Sequence, residues 1–284
     1  MVAHRPVVAA VAGALLVAGC TGGTEEEAGA AKSSGPERNT AGDASPGPSS
    51  SAAPDGADEP YTLPEDRAPR TRAEAVAFLR ELEVQPDYFG VGFRRNRPYE
   101  SDPSRWAVLG EDCLWHREPL PDHVLAGLTR AFVLPAAGKK EAVYVSLTVT
   151  VHRSTLEGRR DMAVSLEEAL RCPEQRLNTK ERVRELYSQA NTFDDQRNAI
   201  AEDDLTESGE WLVDGEKGAR PFDWFKLRLG PVTVAATARY GAGRTGEEQS
   251  AVSADVVRGV GFVAAAVDRR GRSDEASGKA AGDE

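Results

Sequence analysis

Residues 143–152 alternate strictly between aliphatic and polar or aromatic side chains. The odd positions are Val143, Val145, Leu147, Val149 and Val151, and the even positions are Tyr144, Ser146, Thr148, Thr150 and His152. Because successive side chains of a strand point to opposite faces, this period of two predicts a strand with an aliphatic core face. The opposite, hydroxyl-rich face is expected to be wet or lightly covered.

Further strands are indicated nearer the carboxyl end. The stretch "FDWFKLRLGPVTVAATARYG" predicts two strands around the Gly230-Pro231 turn, and "GEWLVDG" predicts another before it. In the first strand of the pair, the side chains expected to face the core are Phe225, Leu227 and Leu229. Those expected to face outward are Trp224, Lys226 and Arg228.

Four segments have the apolar spacing of amphipathic helices. The first, residues 71–82, begins with Thr71 and Glu74 in capping-box spacing. The apolar stripes of the other three are Met162, Leu166, Ala169 and Leu170; then Val183, Leu186, Tyr187 and Ala190; and finally Val256, Val260, Val263, Ala264 and Val267. Strands joined by tight turns, with helices mostly at the ends and in one insertion, predict an α+β fold. We expect an antiparallel sheet with helices packed mainly on one face.

The amino-terminal segment has the layout of an export signal. Arg5 precedes an apolar run of about a dozen residues, which is too short to span a bilayer. The run ends in Val17-Ala18-Gly19-Cys20, which resembles the bacterial lipobox. That resemblance implies a lipoprotein signal peptide over residues 1–19 and a lipidated Cys20 bearing acyl chains such as palmitate. An ordinary secretory signal is the alternative. The expected location is the outer, extracytoplasmic face of the cell membrane, where paired acyl chains anchor stably.

Composition divides the remainder into a tether, a domain and a tail. Residues 20–66 are rich in Gly, Ala, Ser, Pro and acidic residues, and residues 271–284 are similar, so both are predicted to be disordered. The tether carries ten carboxylates against Lys32 and Arg38, about −8 of the net charge of −11. The domain over residues 67–270 is nearly neutral, with 30 basic and 32 acidic residues. Since it has no basic stripe, we expect no nucleic-acid partner.

Cys113 and Cys172 are the two cysteines of the predicted domain. In an exported protein an even pair favours a disulfide. Two free thiols, or a metal pair for which only His116 is close in sequence, are the alternatives. Closing a loop of about 60 residues would stabilise the fold by about 4 kcal/mol in the chain-entropy model.

Gly241, Gly243 and Gly246 spell G-x-G-x-x-G between a predicted strand and a predicted helix. In a dinucleotide-binding site, this loop belongs to a parallel βαβ unit with a second strand. Here the helix runs to about Asp268 and is followed by the polar tail. We therefore expect a turn and no nucleotide cofactor.

Signatures of hydrolytic and metal chemistry are missing. The sequence contains no G-x-S-x-G and no H-E-x-x-H, and the spacing of His116, His123 and His152 does not predict a zinc site. A dispersed Ser/His/Asp arrangement stays open, because triads follow no fixed order. The four tryptophans are Trp106, Trp115, Trp211 and Trp224. They could line a ligand groove, but packing around Cys113 and over the sheet is the preferred interpretation. We predict no catalytic residue, no metal and no cofactor.

The region around Cys113 and Cys172, together with "LGPVTVAATARY" and the closing helix, is similar to the extracytoplasmic domains of small actinobacterial lipoproteins. More distantly, it resembles the extracellular sensor domain of mycobacterial receptor serine/threonine kinases. The resemblance covers about residues 112–268 and implies an α+β module with a groove for an unknown ligand. The kinase sensor has two disulfides where this chain can form one, so neither a signalling role nor binding residues carry over.

Together these features predict a membrane-anchored domain that binds a small envelope molecule or an envelope protein without catalysis. The alternative is a hydrolase acting on cell-wall or lipid substrates. A polar cluster converging in one concave pocket would favour the enzyme. A groove lined by tryptophan and aliphatic side chains would favour binding.

Overall fold

The computed structural model describes residues 59–193, 198 and 200–279, with side chains as far as Arg272. The predicted signal peptide, Cys20 and most of the predicted tether lie outside the described residues. Three α-helices are formed in the described part: α1 (Arg72–Glu81), α2 (Thr155–Arg171) and α3 (Gly246–Lys279), with a short 3₁₀ helix at Pro86–Phe89. The strands there are β1 (Arg94–Glu100), β2 (Arg105–Leu109), β3 (Trp115–Pro119), β4 (Val124–Leu134), β5 (Val143–His152), β6 (Glu174–Arg176), β7 (Glu181–Thr192), β8 (Asp203–Val213), β9 (Arg220–Leu229) and β10 (Val232–Tyr240).

Eight of these strands form one antiparallel sheet in the order β1-β4-β5-β10-β9-β8-β7-β6. The remaining two, β2 and β3, pair with each other as a separate hairpin. The predicted α+β fold with an antiparallel sheet is therefore confirmed. Long strands in the middle of the sheet give it two broad faces, and these faces have different chemistry.

One face of the sheet is the hydrophobic core. The aliphatic row of β5 is buried there beside the matching row of β10, with α1 packed on β4 and α3 packed on β9 and β10. The capping box predicted at Thr71 and Glu74 begins α1. Arg130 on β4 is buried and donates to the carbonyl oxygens of Leu79 and Leu82, which satisfies the carboxyl end of α1.

Helix α3 is long and apolar enough over Gly246–Arg272 to cross a membrane, judged by length and composition. Its predicted stripe is nevertheless buried in the core of the sheet: Val256, Val260, Val263, Ala264 and Val267. The central helix of a folded domain passes the same test of length and composition. We therefore interpret α3 as a core helix.

The opposite face of the sheet is polar and is covered by α2 and the β2–β3 hairpin. Two helices thus lie on the core face and α2 lies on this one. Lys226 and Arg228, which the sequence predicted to face outward, lie on this polar face and are buried there. The predicted alternation holds, but alternation shows only which residues share a face, whereas tertiary packing decides whether water or another element covers that face.

The predicted orientation of α2 also needs correction. Leu170 was expected in the apolar stripe but is 86% exposed, whereas Met162, Ser165 and Ala169 are buried. The helix is rotated so that Asp161, Ser165 and other polar side chains meet the polar face of the sheet. These polar groups form hydrogen bonds with side chains of the sheet, and the hydrogen bonds offset the free-energy cost of removing the groups from water. Leu170 is left exposed as a result.

Residues 178–190 were predicted to form a helix, but they belong mainly to β7. A β-bulge between Arg184 and Tyr187 places two residues opposite Gly209. Val183 and Leu186, three residues apart, therefore contact the same small cluster around Trp211. The bulge produces a helix-like spacing within a strand, and the pairing with β8 overrides the local preference.

The described residues include positions outside the predicted domain limits of 67 and 270. Leu63 is 1% exposed, and the amide of Tyr61 donates to the carbonyl oxygen of Ile200 at 2.7 Å. Helix α3 continues to Lys279, and a Cβ added at Gly271 of this helix would lie 3.0 Å from Leu63 Cδ1. The beginning of the described chain and the last turns of α3 thus support each other.

Candidate functional site

A cavity of about 470 Å³ lies between the polar face of the sheet and a wall made by α2 and the β2–β3 hairpin. This volume falls in the range of small-molecule sites, roughly 300–1,000 Å³. The hydroxyl-rich row predicted on β5 forms part of its floor. Neighbouring hydroxyls continue the floor on β4 and β10: Thr129, Thr233 and Thr237.

Three of the four tryptophans line the cavity: Trp106, Trp115 and Trp224. The ring of Trp115 on the hairpin meets the ring of Trp224 on β9 edge-on, at 6.5 Å between centroids. Trp211 lies instead in the small hydrophobic cluster with Val183 and Phe222. The preferred sequence interpretation, packing alone, is therefore incomplete, because the hairpin brings two tryptophans over the sheet.

The Cys113–Cys172 disulfide joins the two parts of the cavity wall. Cys113 lies in the turn of the β2–β3 hairpin, Cys172 caps the carboxyl end of α2, and their Cα atoms are 5.6 Å apart. The Arg171 guanidinium reinforces this connection by donating to the carbonyl oxygens of Leu109 and Gly110, each at 3.0 Å. The predicted disulfide is thus present, and its position links the hairpin to the helix.

An ion pair lies at the inner end of the cavity. The ammonium of Lys226 is 2.8 Å from the carboxylate of Asp161, and it also donates to the Ser165 hydroxyl at 2.9 Å and to the Asp161 carbonyl at 3.2 Å. Burial opposes ionisation of Asp161, but the Lys226 ammonium and the hydrogen bond to His152 hold the pKa of that carboxyl well below its usual range. The three contacts of the Lys226 ammonium, two with Asp161 and one with Ser165, use all three of its N–H groups.

His152 contacts the same carboxylate from inside the sheet. Its Nε2 atom lies 3.3 Å from both Asp161 Oδ2 and Thr233 Oγ1, and the hydroxyl of Thr233 donates to Asp161 at 3.0 Å. In a catalytic triad the carboxylate and the nucleophile bind opposite ring nitrogens. Here both are at Nε2, and Nδ1 is buried without a hydrogen-bond partner among the described residues. This arrangement is not that of an activated nucleophile.

Two further carboxyl groups face the cavity. Glu207 on β8 is 3% exposed and accepts a hydrogen bond from Ser188 at 2.5 Å. Burial raises its pKa. Burial also raises the pKa of Glu168 on α2 to about 7, with the Lys226 ammonium opposing the rise and the Asp161 carboxylate adding to it.

A buried amide completes the inner wall. Gln175 on β6 is 3% exposed, and its Oε1 accepts a hydrogen bond from Trp115 Nε1 at 2.8 Å. Its Nε2 is buried and has no hydrogen-bond partner among the described residues. Gln175 lines the cavity, so this unused hydrogen-bond donor belongs to its inner wall.

The other histidines do not join this cluster. His116 lies at the exposed hairpin side of the cavity, with Nε2 3.6 Å from Asp112. His123 contacts the Trp106 ring edge-on. In the part of the chain that the structure describes, no three His, Cys, Asp or Glu side chains are arranged to hold a metal ion.

The G-x-G-x-x-G loop, residues 241–246, packs closely against the backbone at Lys139. A side chain at Gly243, where φ is 88°, would clash with the carbonyl of Lys139. The amide of Glu248 donates to the Thr245 hydroxyl at 3.2 Å, and the amide of Thr245 donates to the Glu248 carboxylate at 3.1 Å. This capping box fills the amino end of α3, and no strand follows α3 among the described residues. Gly241 and Gly243 therefore serve close packing of the loop, whereas nothing lies within 4 Å of a Cβ at Gly246.

The residues that make the cavity distinctive were missed by the sequence analysis. They are Asp161, Glu168, Gln175, Glu207 and Lys226. One signal was present: Asp161, Ser165 and Glu168 follow helical spacing on one face of α2. Read beside the hydroxyl-rich row of β5, that polar stripe could have suggested two polar surfaces that meet.

Neither a protein-family model, nor a curated protein, nor a solved structure matches the chain. The chemistry of the cavity therefore has to be argued from its own residues. The resemblance to actinobacterial lipoproteins and kinase sensor domains stays a prediction.

Proposed function

We propose that this chain is a lipid-anchored extracytoplasmic protein whose cavity binds a small polar molecule without chemically changing it. The observation that carries the proposal is the cavity itself. It is bounded by the polar sheet face, three tryptophans and a hairpin tied to α2 by a disulfide. Such a disulfide suits an oxidising compartment outside the cytoplasm.

Lipidation at Cys20 accounts for the amino-terminal sequence. The small residues Ala18 and Gly19 would give a signal peptidase access, and the thiol of Cys20 would accept the diacylglyceryl group. A Cys20→Ala variant should leave the membrane fraction or retain its signal peptide. If the wild-type chain is found uncleaved and unacylated by mass spectrometry, the anchor is absent and this part of the proposal is wrong.

Binding is favoured over covalent catalysis by the state of the polar groups. Lys226 already has three partners, so its amine has no free position for a substrate carbonyl. Thr233 donates its hydroxyl proton to Asp161, and His152 lacks the two-sided arrangement of a triad. These contacts stabilise the wall of a binding site.

Native mass spectrometry of the full chain, purified gently from its own envelope, tests the proposal. A reproducible added mass on the wild-type chain should be lost when Trp224→Ala opens the cavity wall. A matched control, Trp211→Ala, removes a tryptophan that does not line the cavity and should keep the added mass. A bare wild-type chain under conditions that retain weak ligands would count against a small-molecule ligand and favour an envelope protein partner.

A second candidate, a hydrolase acting on glycan or lipid substrates, is favoured by the two carboxyl groups of Glu168 and Glu207. A carboxyl whose pKa lies at about 7 can donate a proton near neutral pH while a second carboxylate activates water. Incubation with fragments of the cell wall and with envelope lipids tests this candidate. Product formation that Glu168→Gln abolishes, with binding retained, would establish the enzyme and overturn the proposal of binding alone.

A further inference from the structure

Charged side chains of both signs line the cavity, and they are unevenly paired. Four carboxylates line it, and two of them have cations: Asp161 pairs with Lys226, and Glu181 pairs with Arg239 at 2.7 Å. Glu168 and Glu207 have no Lys, Arg or His within salt-bridge distance among the described residues. An unpaired carboxylate that is largely removed from water is costly, so these two groups would gain most from a cation.

Lys226 cannot supply that cation. Its three N–H groups are used by Asp161 and Ser165, which hold the ammonium against α2. The arginines of the hairpin have other partners: Arg117 donates to the Thr129 hydroxyl and Arg105 donates to the Arg117 carbonyl, and neither forms a salt bridge with Glu168 or Glu207 among the described residues. A cation for Glu168 and Glu207 would therefore have to come from a ligand.

Gln175 adds a second and independent requirement. Its Oε1 is fixed by Trp115, so the amide cannot turn to present its oxygen without losing that bond. The unpartnered Nε2 needs an acceptor atom inside the cavity. Around these polar groups, Trp115 and Trp224 offer ring surfaces that attract cations and cover aliphatic carbon.

We propose that the cavity binds a small organic cation, with its ammonium at Glu168 and Glu207 and an acceptor oxygen at Gln175 Nε2. The ligand class is an amine that also carries a hydroxyl, ether or carbonyl oxygen, with its carbon skeleton against the tryptophans. This inference rests on the proposed binding function and specifies its ligand. An anionic ligand would meet two carboxylates, and a purely apolar one would leave Gln175 unsatisfied.

Three compounds of one size separate charge from shape: aminopentanol, pentanediol and hydroxypentanoate. They share a five-carbon chain and a hydroxyl, and they differ only in the amine, hydroxyl or carboxylate at the other end. Titration of the purified full chain would be followed by tryptophan fluorescence and by NMR of the Gln175 side-chain amide. Aminopentanol should bind about tenfold or more tightly than either partner compound and should shift the Gln175 amide signal.

The double variant Glu168→Gln/Glu207→Gln keeps the shape of both side chains and removes their charge. It should weaken aminopentanol binding about tenfold or more and leave pentanediol binding unchanged. Glu247→Gln, on the exposed first turn of α3, is the matched control and should behave as wild type. Circular dichroism of each variant checks that the fold is retained.

The possible results separate this inference from the proposed function. Equal binding of all three compounds, or preference for hydroxypentanoate, would show a binding cavity and overturn its cation selectivity. Binding of none of the three at millimolar concentrations would also overturn the inference. In that case, native mass spectrometry of the chain from its own envelope would still decide whether the cavity holds a ligand. Loss of selectivity in the Glu247→Gln control would overturn the role assigned to Glu168 and Glu207.

Discussion

The carboxylate of Asp161 on α2 lies 2.8 Å from the ammonium of Lys226 on β9, and the pair is largely enclosed between the helix and the sheet. This pair attaches α2 to the polar face of the sheet and shapes the inner end of the cavity. Hydrogen bonds from Thr233 to Asp161 and from Lys226 to Ser165 fix its geometry. The pair is therefore a structural element of the site as well as a part of its lining.

Replacing Lys226 with methionine should lower the free energy of unfolding by about 3 kcal/mol, because Asp161 would be left buried without its cation. Adding Asp161→Asn should recover part of this loss, since the uncompensated charge is removed while an acceptor oxygen remains. Urea denaturation of the two single variants and the double variant measures the coupling. Losses that simply add would show that the two groups do not act as a pair.

The raised pKa of Glu168 predicts how stability changes with pH. Its folded-state pKa, about 7, lies above the unfolded value of about 4.3, so the folded state binds the proton more tightly. Stability from this group is greatest below the unfolded pKa and is lost as pH rises through about 7. Wild type should therefore lose stability between about pH 5 and pH 8, relative to Glu168→Gln.

Denaturation midpoints of both proteins across that pH range test the sign. The comparison cancels the contributions of His116, His123 and His152, which both proteins contain. It retains the neighbours that act on Glu168, namely Lys226, Asp161, Arg171 and Glu207. Parallel pH curves for the two proteins would contradict the burial of the Glu168 carboxyl.

The sequence predicted the structure correctly wherever a single strong pattern determined it. The alternation of β5 and the stripe of α3 predicted the core, and the two cysteines predicted the disulfide. The sequence failed where two elements had to meet. The burial of Lys226 depends on α2 lying over β9, and the strand at Val183 and Leu186 depends on a bulge opposite Gly209. Neither contact is visible in a local pattern.

Loss of the Cys113–Cys172 disulfide should affect the hairpin more than the sheet. The double Cys→Ala variant should lose about 4 kcal/mol by the chain-entropy model for a loop of this length. Amide hydrogen exchange of β2 and β3 should accelerate more than that of β5 and β10, because the latter are paired on both sides. Unchanged protection of the hairpin would show that its other contacts, those of Arg171 and the hydrogen bond between Trp115 and Gln175 among them, hold it in place without the disulfide.

Two glycines of α3 should respond to alanine in opposite directions. At Gly259 the added Cβ would lie 2.6 Å from the ring of Phe89 and 2.8 Å from the carbonyl oxygen of Tyr88, both in the core-side 3₁₀ segment. At Gly261 the nearest atom is Ile200 Cδ1 at 3.7 Å, which is ordinary contact. Gly261→Ala should therefore raise the free energy of unfolding by up to about 1 kcal/mol, as alanine favours helix over glycine.

Gly259→Ala gains the same helical preference but has to displace a buried aromatic ring and a backbone carbonyl. Overpacking of this kind costs about 1–3 kcal/mol, so the variant should be less stable than wild type. Thermal unfolding of the two variants side by side measures the difference, and each serves as the control for the other. Equal stabilisation of both would mean that α3 does not pack closely on the Pro86–Phe89 segment, and that this end of the core is looser than the contacts indicate.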